Sequence, residues 1–278
     1  MRLSVILTTY NAPAWLEKVL WGYSVQRHGN FELIIGDDGS TDDTRRLIDR
    51  MRLETGLTIR HIWQEDKGFR KCRILNKAVL AAASDYLVFS DGDCIPRNDF
   101  LEIHAGEARP GHYLSGGYHK LPMRTSTAIT REDILTGRCF DLKWLKANGL
   151  KSSIKNTKLT ASYKRARLFN ALTPTRCNFK GSNGSVWKKD VLAVNGFDER
   201  MSWGGLDREF GVRLINSGLR PKHVRYNAIV IHLDHNRGYK DTKIMASNKK
   251  LRVYNAQNGV IRTEHGISQL PQYHAQNV

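Results

Sequence analysis

Three short apolar runs in the first hundred residues each end in a polar cluster, and helical patterns separate them. Leu3 to Leu7 runs into Thr8-Thr9-Tyr10, Phe31 to Ile35 into Gly36-Asp37-Asp38-Gly39-Ser40, and Tyr86 to Ser90 into Asp91-Gly92-Asp93. Continuous apolar runs of this length suit strands buried on both faces. Pro13 sits in the first turn of a helix with Asn11 or Ala12 at its cap, and Trp15, Leu16, Val19 and Leu20 recur at helical spacing. Thr41 or Asp42 caps a second helix through Arg52. Leu57 to Trp63 reads as another strand, and Arg70 to Ala83 as a third helix. Strand–helix–strand units demand right-handed crossovers and a mainly parallel sheet. Ligands of such sheets bind beyond the carboxyl ends of the strands. All three polar clusters fall at such ends. The expected class is α/β, with a Rossmann-like central sheet flanked by helices.

Beyond Lys120 the apolar pattern weakens, and Lys, Arg, Ser and Thr dominate to about Arg176. This stretch reads as helices and loops laid over the active edge of the sheet. From Gly181 the chain turns into a strand ending near Trp187, and Lys188 to Val194 is a short helix. Trp203-Gly204-Gly205-Leu206-Asp207 is a Gly-rich turn, Arg208 to Ser217 a helix ended by Gly218, and Asn227 to His232 a late strand. A last helix follows Asp241, and the polar, Gln-rich tail frays. Net charge is +17, which favours anionic partners. Cys72, Cys94, Cys139 and Cys177 are scattered without a Cys-x-x-Cys pair, so free thiols in a reducing compartment are expected. The opening Arg2 to Leu7 is too short for a signal-peptide core, and no run approaches the roughly 18 apolar residues of a membrane span. A cytoplasmic location is the expectation.

Asp91-Gly92-Asp93 carries the chemistry. Two carboxylates one residue apart can turn toward one hard cation, Mg²⁺ or Mn²⁺, whose open positions suit diphosphate oxygens. An Asp-x-Asp alone is a common surface pattern; its place at a strand end gives it weight.

The order of motifs resembles the large inverting glycosyltransferase family 2. Val5-Ile6-Leu7-Thr8-Thr9-Tyr10-Asn11 is similar to its opening strand and turn, and Ile34 to Asp42 to its second signature. Gln64-Glu65-Asp66-Lys67-Gly68-Phe69, followed by Arg73 and Asn76, is similar to its third, and Asp91-Gly92-Asp93 to its metal motif. Phe179 to Gly184, Gly196-Phe197-Asp198-Glu199, Trp203 to Phe210 and Ile231 to His235 resemble the carboxyl-terminal part of β-1,4-galactosyltransferases and bacterial chondroitin-polymerase-like enzymes. The resemblance covers most of the chain except roughly residues 120–175 and the last forty.

It implies a GT-A fold and a single catalytic domain over residues 1–240: a nucleotide-binding half at 1–118, a basic insert at 119–177 and an acceptor-binding half at 178–240. Residues 241–278 are then a terminal helix and tail. It also implies a nucleotide-diphosphate sugar donor, usually UDP-linked, and inversion at the anomeric carbon. Thr8, Tyr10, Asp38, Asp66, Arg73, Asp91 and Gly92 would hold the nucleotide sugar, with Asp37 structural. Asp91, Asp93 and His232 would hold Mn²⁺ or Mg²⁺, with His235 as substitute ligand. Asp207 would be the general base that takes the acceptor hydroxyl's proton, and Glu209 the alternative, although its helix register favours burial or pairing. Trp203, Gly204 and Gly205 would meet the acceptor; Trp187 reads as core. Relatives usually carry Glu where this chain has Leu206, which leaves the sugar unnamed.

The acceptor expected is a saccharide or glycolipid of bacterial surface-glycan synthesis, lipopolysaccharide or capsule. An anionic acceptor, or peripheral contact with the anionic inner membrane face, would suit the basic insert. A nucleotidyltransferase is the first alternative, but it would more typically show a Gly- and Arg-rich phosphate loop after the first strand. A basic nucleic-acid-binding protein is the second, but no RNA-binding aromatic motif, zinc finger or recognition helix is present.

Overall fold

The computed structural model describes residues 1–235, 241–271 and 273. Among these residues ten strands form two sheets. They are β1 Leu3–Thr9, β2 Phe31–Asp37, β3 Ile59–Trp63, β4 Tyr86–Asp91, β5 Cys94–Pro96, β6 His112–Ser115, β7 Gly117–Lys120, β8 Gly184–Trp187, β9 Arg220–His223 and β10 Ile229–His232. The main sheet runs β3-β2-β1-β4-β8-β6-β9. Its first four strands are parallel, as the strand–helix–strand order leads one to expect. β8 is antiparallel to both β4 and β6. A small second sheet runs β5-β10-β7.

Side chains alternate across the main sheet and so feed two cores. Val5 and Leu7 point into one, with Leu16, Val19 and Leu20 of helix Pro13–Ser24. Ile6 and Phe89 point into the other, with Ala78 and Val79 of helix Lys71–Ala81 and Phe210 of helix Leu206–Asn216. All of these are fully buried, each worth up to about 1.5–3 kcal/mol for the larger ones.

The basic insert is less of an overlay than its composition suggests. Leu121, Ile129, Ile134, Cys139 and Leu145 join the first core. A capping box links Thr130 with Asp133 at the start of helix Arg131–Leu135. Only the later part, including helix Tyr163–Leu172, is mainly exposed. The tail also differs from expectation: Ile267 and Leu270 are buried in the second core. The fraying expected at the extreme end concerns residues 272 and 274–278, outside those described. Cys72, Cys94 and Cys139 are buried and unpaired. Among the described residues no helix is long and apolar enough to cross a membrane.

Candidate active site

Register builds the site. β1 and β4 lie side by side, with Thr8 opposite Asp91. Thr8 Oγ1 donates to Asp91 Oδ1 at 3.1 Å. The turn after β4 returns against β1: the Gly92 N–H donates to the Thr8 carbonyl at 2.9 Å. A Cβ at Gly92 would lie 2.9 Å from that same oxygen, so no larger residue fits without displacement. β10 lies beside β5 with His232 opposite Cys94, which sets His232 next to Asp93.

At Asp93 the geometry fits a divalent ion. His232 Nε2 lies 3.4 Å and His235 Nε2 3.0 Å from the same carboxylate oxygen, Oδ2. His232 Nδ1 is buried and makes no hydrogen bond among the described residues. Burial opposes ionisation of Asp93, but hydrogen bonding from His235 and the nearby positive charges hold its carboxyl below the ordinary carboxylate range. Cys94 Sγ is 3.4 Å from Asp93 Oδ1. Burial keeps that thiol protonated, so it orients the carboxylate. Two imidazoles and a carboxylate form a mixed nitrogen–oxygen donor set, which suits a transition ion such as Mn²⁺ better than Mg²⁺.

The nucleotide motifs converge on the same cleft. Asp38 is buried with both oxygens occupied: Gln64 Nε2 donates to one at 2.6 Å and the Arg70 N–H to the other at 2.8 Å. Burial raises its pKa. Asp37 accepts from the Ser40 N–H and contacts His61, a structural role as expected. Tyr10 Oη donates to Asp66 Oδ2 at 2.8 Å. A cleft of about 1090 Å³ is lined by Thr8, Tyr10, Asp38, Asp66, Asp91, Gly92, Asp93, His232, His235, Trp203, Gly204, Gly205 and Asp207.

Two expected site residues lie elsewhere. Arg73 does not line the cleft; it pairs with Glu199 at 2.8 Å. The cause is helical geometry. Lys71 faces the cleft, and two positions further turn a side chain by roughly 200°. Glu209 is not available as a base. It is fully buried, bound by Arg213 at 2.6 and 2.9 Å and by Asn255 Nδ2 at 2.7 Å. Trp187 packs edge-on against Tyr86, outside the cleft.

Asp207 is better suited. It opens helix Leu206–Asn216 behind the turn of Gly204 (φ 102°) and Gly205 (φ 95°), which need glycine's left-handed freedom. Its Oδ1 is buried and makes no hydrogen bond among the described residues. Burial raises its pKa, partly offset by Lys71 and by the Gly181 N–H. Leu206 is buried in the second core while also touching the cleft.

Several cleft residues are not among the expected site residues. Lys71 Nζ donates to Asp91 Oδ1 at 2.6 Å. Burial disfavours its charge, but Asp91, Asp207 and Asp93 together raise its pKa. Tyr118, Lys180 and Arg208 also line the cleft, and helix Thr242–Gln257 adds Met245, Asn248, Lys249 and Arg252. Asn248 Nδ2 reaches the carbonyls of Ser202, Trp203 and Gly204 at 3.1, 3.2 and 3.0 Å. Lys71 had a signal: it opens a helix at the carboxyl edge of the sheet. The terminal helix had none, because nothing in its pattern says which face meets the turn.

Comparison with known proteins agrees with this architecture. Glycosyl transferase family 2 matches residues 4–146, more than half of the chain, and the N-terminal domain of galactosyltransferase matches residues 173–236. Chondroitin synthase of Escherichia coli is 28% identical over 230 residues, covering 78% of this chain and 32% of its own length. The chain therefore spans about a third of that relative. The mannosyltransferase PcManGT of Pyrobaculum calidifontis, solved with GDP-Man and Mn²⁺, superposes with a TM-score of 0.62 at 18% identity, covering 99% of this chain and 68% of its own. S. aureus TarS 1-349, solved with UDP-GlcNAc, superposes with a TM-score of 0.62 at 16% identity, covering 99% and 69%. The fold is GT-A, and the chain belongs to glycosyl transferase family 2.

Proposed function

We propose that the chain is a metal-dependent inverting glycosyltransferase. It moves a hexosyl or N-acetylhexosaminyl group from a nucleotide-diphosphate sugar, UDP-linked, to a saccharide or glycolipid acceptor. One observation carries the reading: the Asp93–His232–His235 cluster shares a cleft with Asp207, a carboxylate whose Oδ1 is buried and unpartnered among the described residues. Thr8, Tyr10, Asp38, Asp66 and Gly92 hold the nucleotide. Asp91, Asp93 and His232, with His235 beside them, hold the ion. Bound there, Mn²⁺ or Mg²⁺ offsets the charge that develops on the departing diphosphate. Lys71, already on Asp91, adds a second positive charge. Asp207 accepts the acceptor hydroxyl's proton as the oxygen attacks from the face opposite the diphosphate, and Trp203, Gly204 and Gly205 border the acceptor. The test is a panel of nucleotide sugars with Mn²⁺ or Mg²⁺, scoring binding and turnover in wild type and Asp93→Ala. We expect transfer to need the ion and Asp93. Metal-independent turnover, or full activity in the variant, overturns the reading.

The same reading sets the enzyme at the cytoplasmic face of an anionic membrane, building lipopolysaccharide or capsule. Support comes from Ile154 and Leu172, 85% and 69% exposed, among the cations of the insert. Salt should release the chain from anionic vesicles. Salt-insensitive binding, or none, removes this part.

A further inference from the structure

Between residues 142 and 189 the chain holds twelve lysines and arginines and no aspartate or glutamate. A run of this kind ordinarily forms a solvated face. Part of this one does not. Lys158 is only 7% exposed, and its ammonium donates to the Tyr118 carbonyl at 3.3 Å. Arg225 Nε is buried and makes no hydrogen bond among the described residues. Both nitrogens face one glycine of β7: a Cβ added to Gly117 would lie 3.7 Å from Lys158 Nζ and 3.9 Å from Arg225 Nε. Lys180 continues the cluster into the cleft wall. The charges that reach Lys158 are those of Arg225, Lys155 and Lys180, all positive; burial first, then those cations, push its pKa down to about 8.

Lys180 has the Asp207 carboxylate within reach, but Lys158 and Arg225 have no carboxylate partner among the described residues, and part-buried cations left so weaken a fold. A long lysine can normally escape such a place by reaching water. Lys158 instead turns inward toward Arg225. Groups held at a loss of stability mark sites built for a ligand. The ligand must be anionic and must accept from several directions at once. A tetrahedral phosphate, with more acceptor oxygens than a planar carboxylate, can meet an ammonium and a guanidinium edge together.

The geometry points to a phosphate subsite formed by Lys158, Arg225 and Lys180 over Gly117, which takes a phosphate group carried by the acceptor. It rests on the proposed transferase reading only in assigning the phosphate to the acceptor. The subsite adjoins the cleft through Tyr118, whose carbonyl binds Lys158 and whose ring lies 5.0 Å from that of His232.

The test is binding of inorganic phosphate to the metal-free chain, by calorimetry, in wild type, Lys158→Met, Arg225→Gln, Gly117→Ala and Lys71→Met. The first three should each weaken binding by about tenfold or more, while Lys71→Met leaves it within about twofold. Gly117→Ala keeps every charge, and its new methyl stands in ordinary contact distance, so it tests the space without unfolding the protein. Lys158→Met should also raise Tm without phosphate, by relieving repulsion. Phosphate binding lost in Lys71→Met but intact in the other three overturns the proposal. So does a fall in Tm for Lys158→Met with phosphate affinity unchanged. Competition by glucose 6-phosphate identifies a soluble acceptor, and competition only by phosphatidic acid vesicles a lipid-linked one; competition by neither overturns the assignment to an acceptor. A chain that binds phosphate through Lys158 yet transfers no sugar would refute the proposed function and leave this site standing.

Discussion

Replacing Glu209 separates the two carboxylates that follow the Gly-Gly turn. Glu209 and Arg213 are 1% and 0% exposed, and their contact is two-pronged, at 2.6 and 2.9 Å. Arg213 also donates to the Val194 carbonyl at 2.6 Å, and Asn255 to Glu209 at 2.7 Å. Glu209→Ala leaves a guanidinium buried with one carbonyl, and breaking such a pair costs about 3–5 kcal/mol. For a chain of this size that is a fall in Tm of roughly 6–20 °C. Glu209→Gln keeps the shape and loses the charge, so a smaller fall is expected. Thermal melting by circular dichroism reads the stability. Single-turnover transfer, well below the variant's Tm, reads the chemistry. In Glu209→Gln kcat should stay within a few-fold of wild type, because Arg213 and Asn255 already saturate this carboxylate. Loss of a true base would lower kcat by about 10²–10⁴. A folded Glu209→Gln protein with a loss of that size, or a Tm within a degree of wild type for Glu209→Ala, refutes the reasoning.

Asp207→Asn should lower kcat by about 10²–10⁴ and yet raise Tm at pH 7. Its folded pKa is raised by burial, so the native state binds that proton more readily than the unfolded chain. The ionised group therefore lowers stability at neutral pH, and this is relieved as pH falls through the folded pKa. The gain in Tm should accordingly shrink toward pH 4, and a variant less stable at pH 7 contradicts it. Lys71→Met removes the largest influence holding the Asp207 pKa down. The acid limb of kcat/KM should therefore move to higher pH; an unmoved limb, or one moved to lower pH, argues that Asp207 is not the titrating base.

The parallel half of the sheet is legible in the chain because its inner strands β1, β2 and β4 are buried on both faces and mainly apolar. No alternating pattern is needed to see β1, β2 and β4; their mainly apolar runs suffice, although Ser4 and Glu32 interrupt two of them and pair in the interior at 2.6 Å. The other half, where β8 runs against both its neighbours and β9 pairs in parallel with β6, is not legible in this way. β6 is His-Tyr-Leu-Ser and β9 is Arg-Pro-Lys-His. Both are four residues long, and β9 tolerates Pro221 because it lies at the sheet edge. Motif position brought Asp38, Asp91 and Asp207 to the cleft, yet it also nominated Arg73, whose helix phase turns it onto Glu199. Phase within a helix, short edge strands and the docking of a distant helix are set by packing, which a linear pattern does not contain.

The Asn248 amide has a consequence for how the Gly204-Gly205 turn behaves. Its nitrogen carries two protons, while three carbonyls, from Ser202, Trp203 and Gly204, stand within 3.2 Å. At any instant this amide serves at most two of them. The latch between turn and terminal helix is therefore soft: the amide can pass a proton contact from one carbonyl to the next as the turn rocks, with no bond fully broken. A hydroxyl arriving beside Asp207 is a further donor of the kind these carbonyls accept.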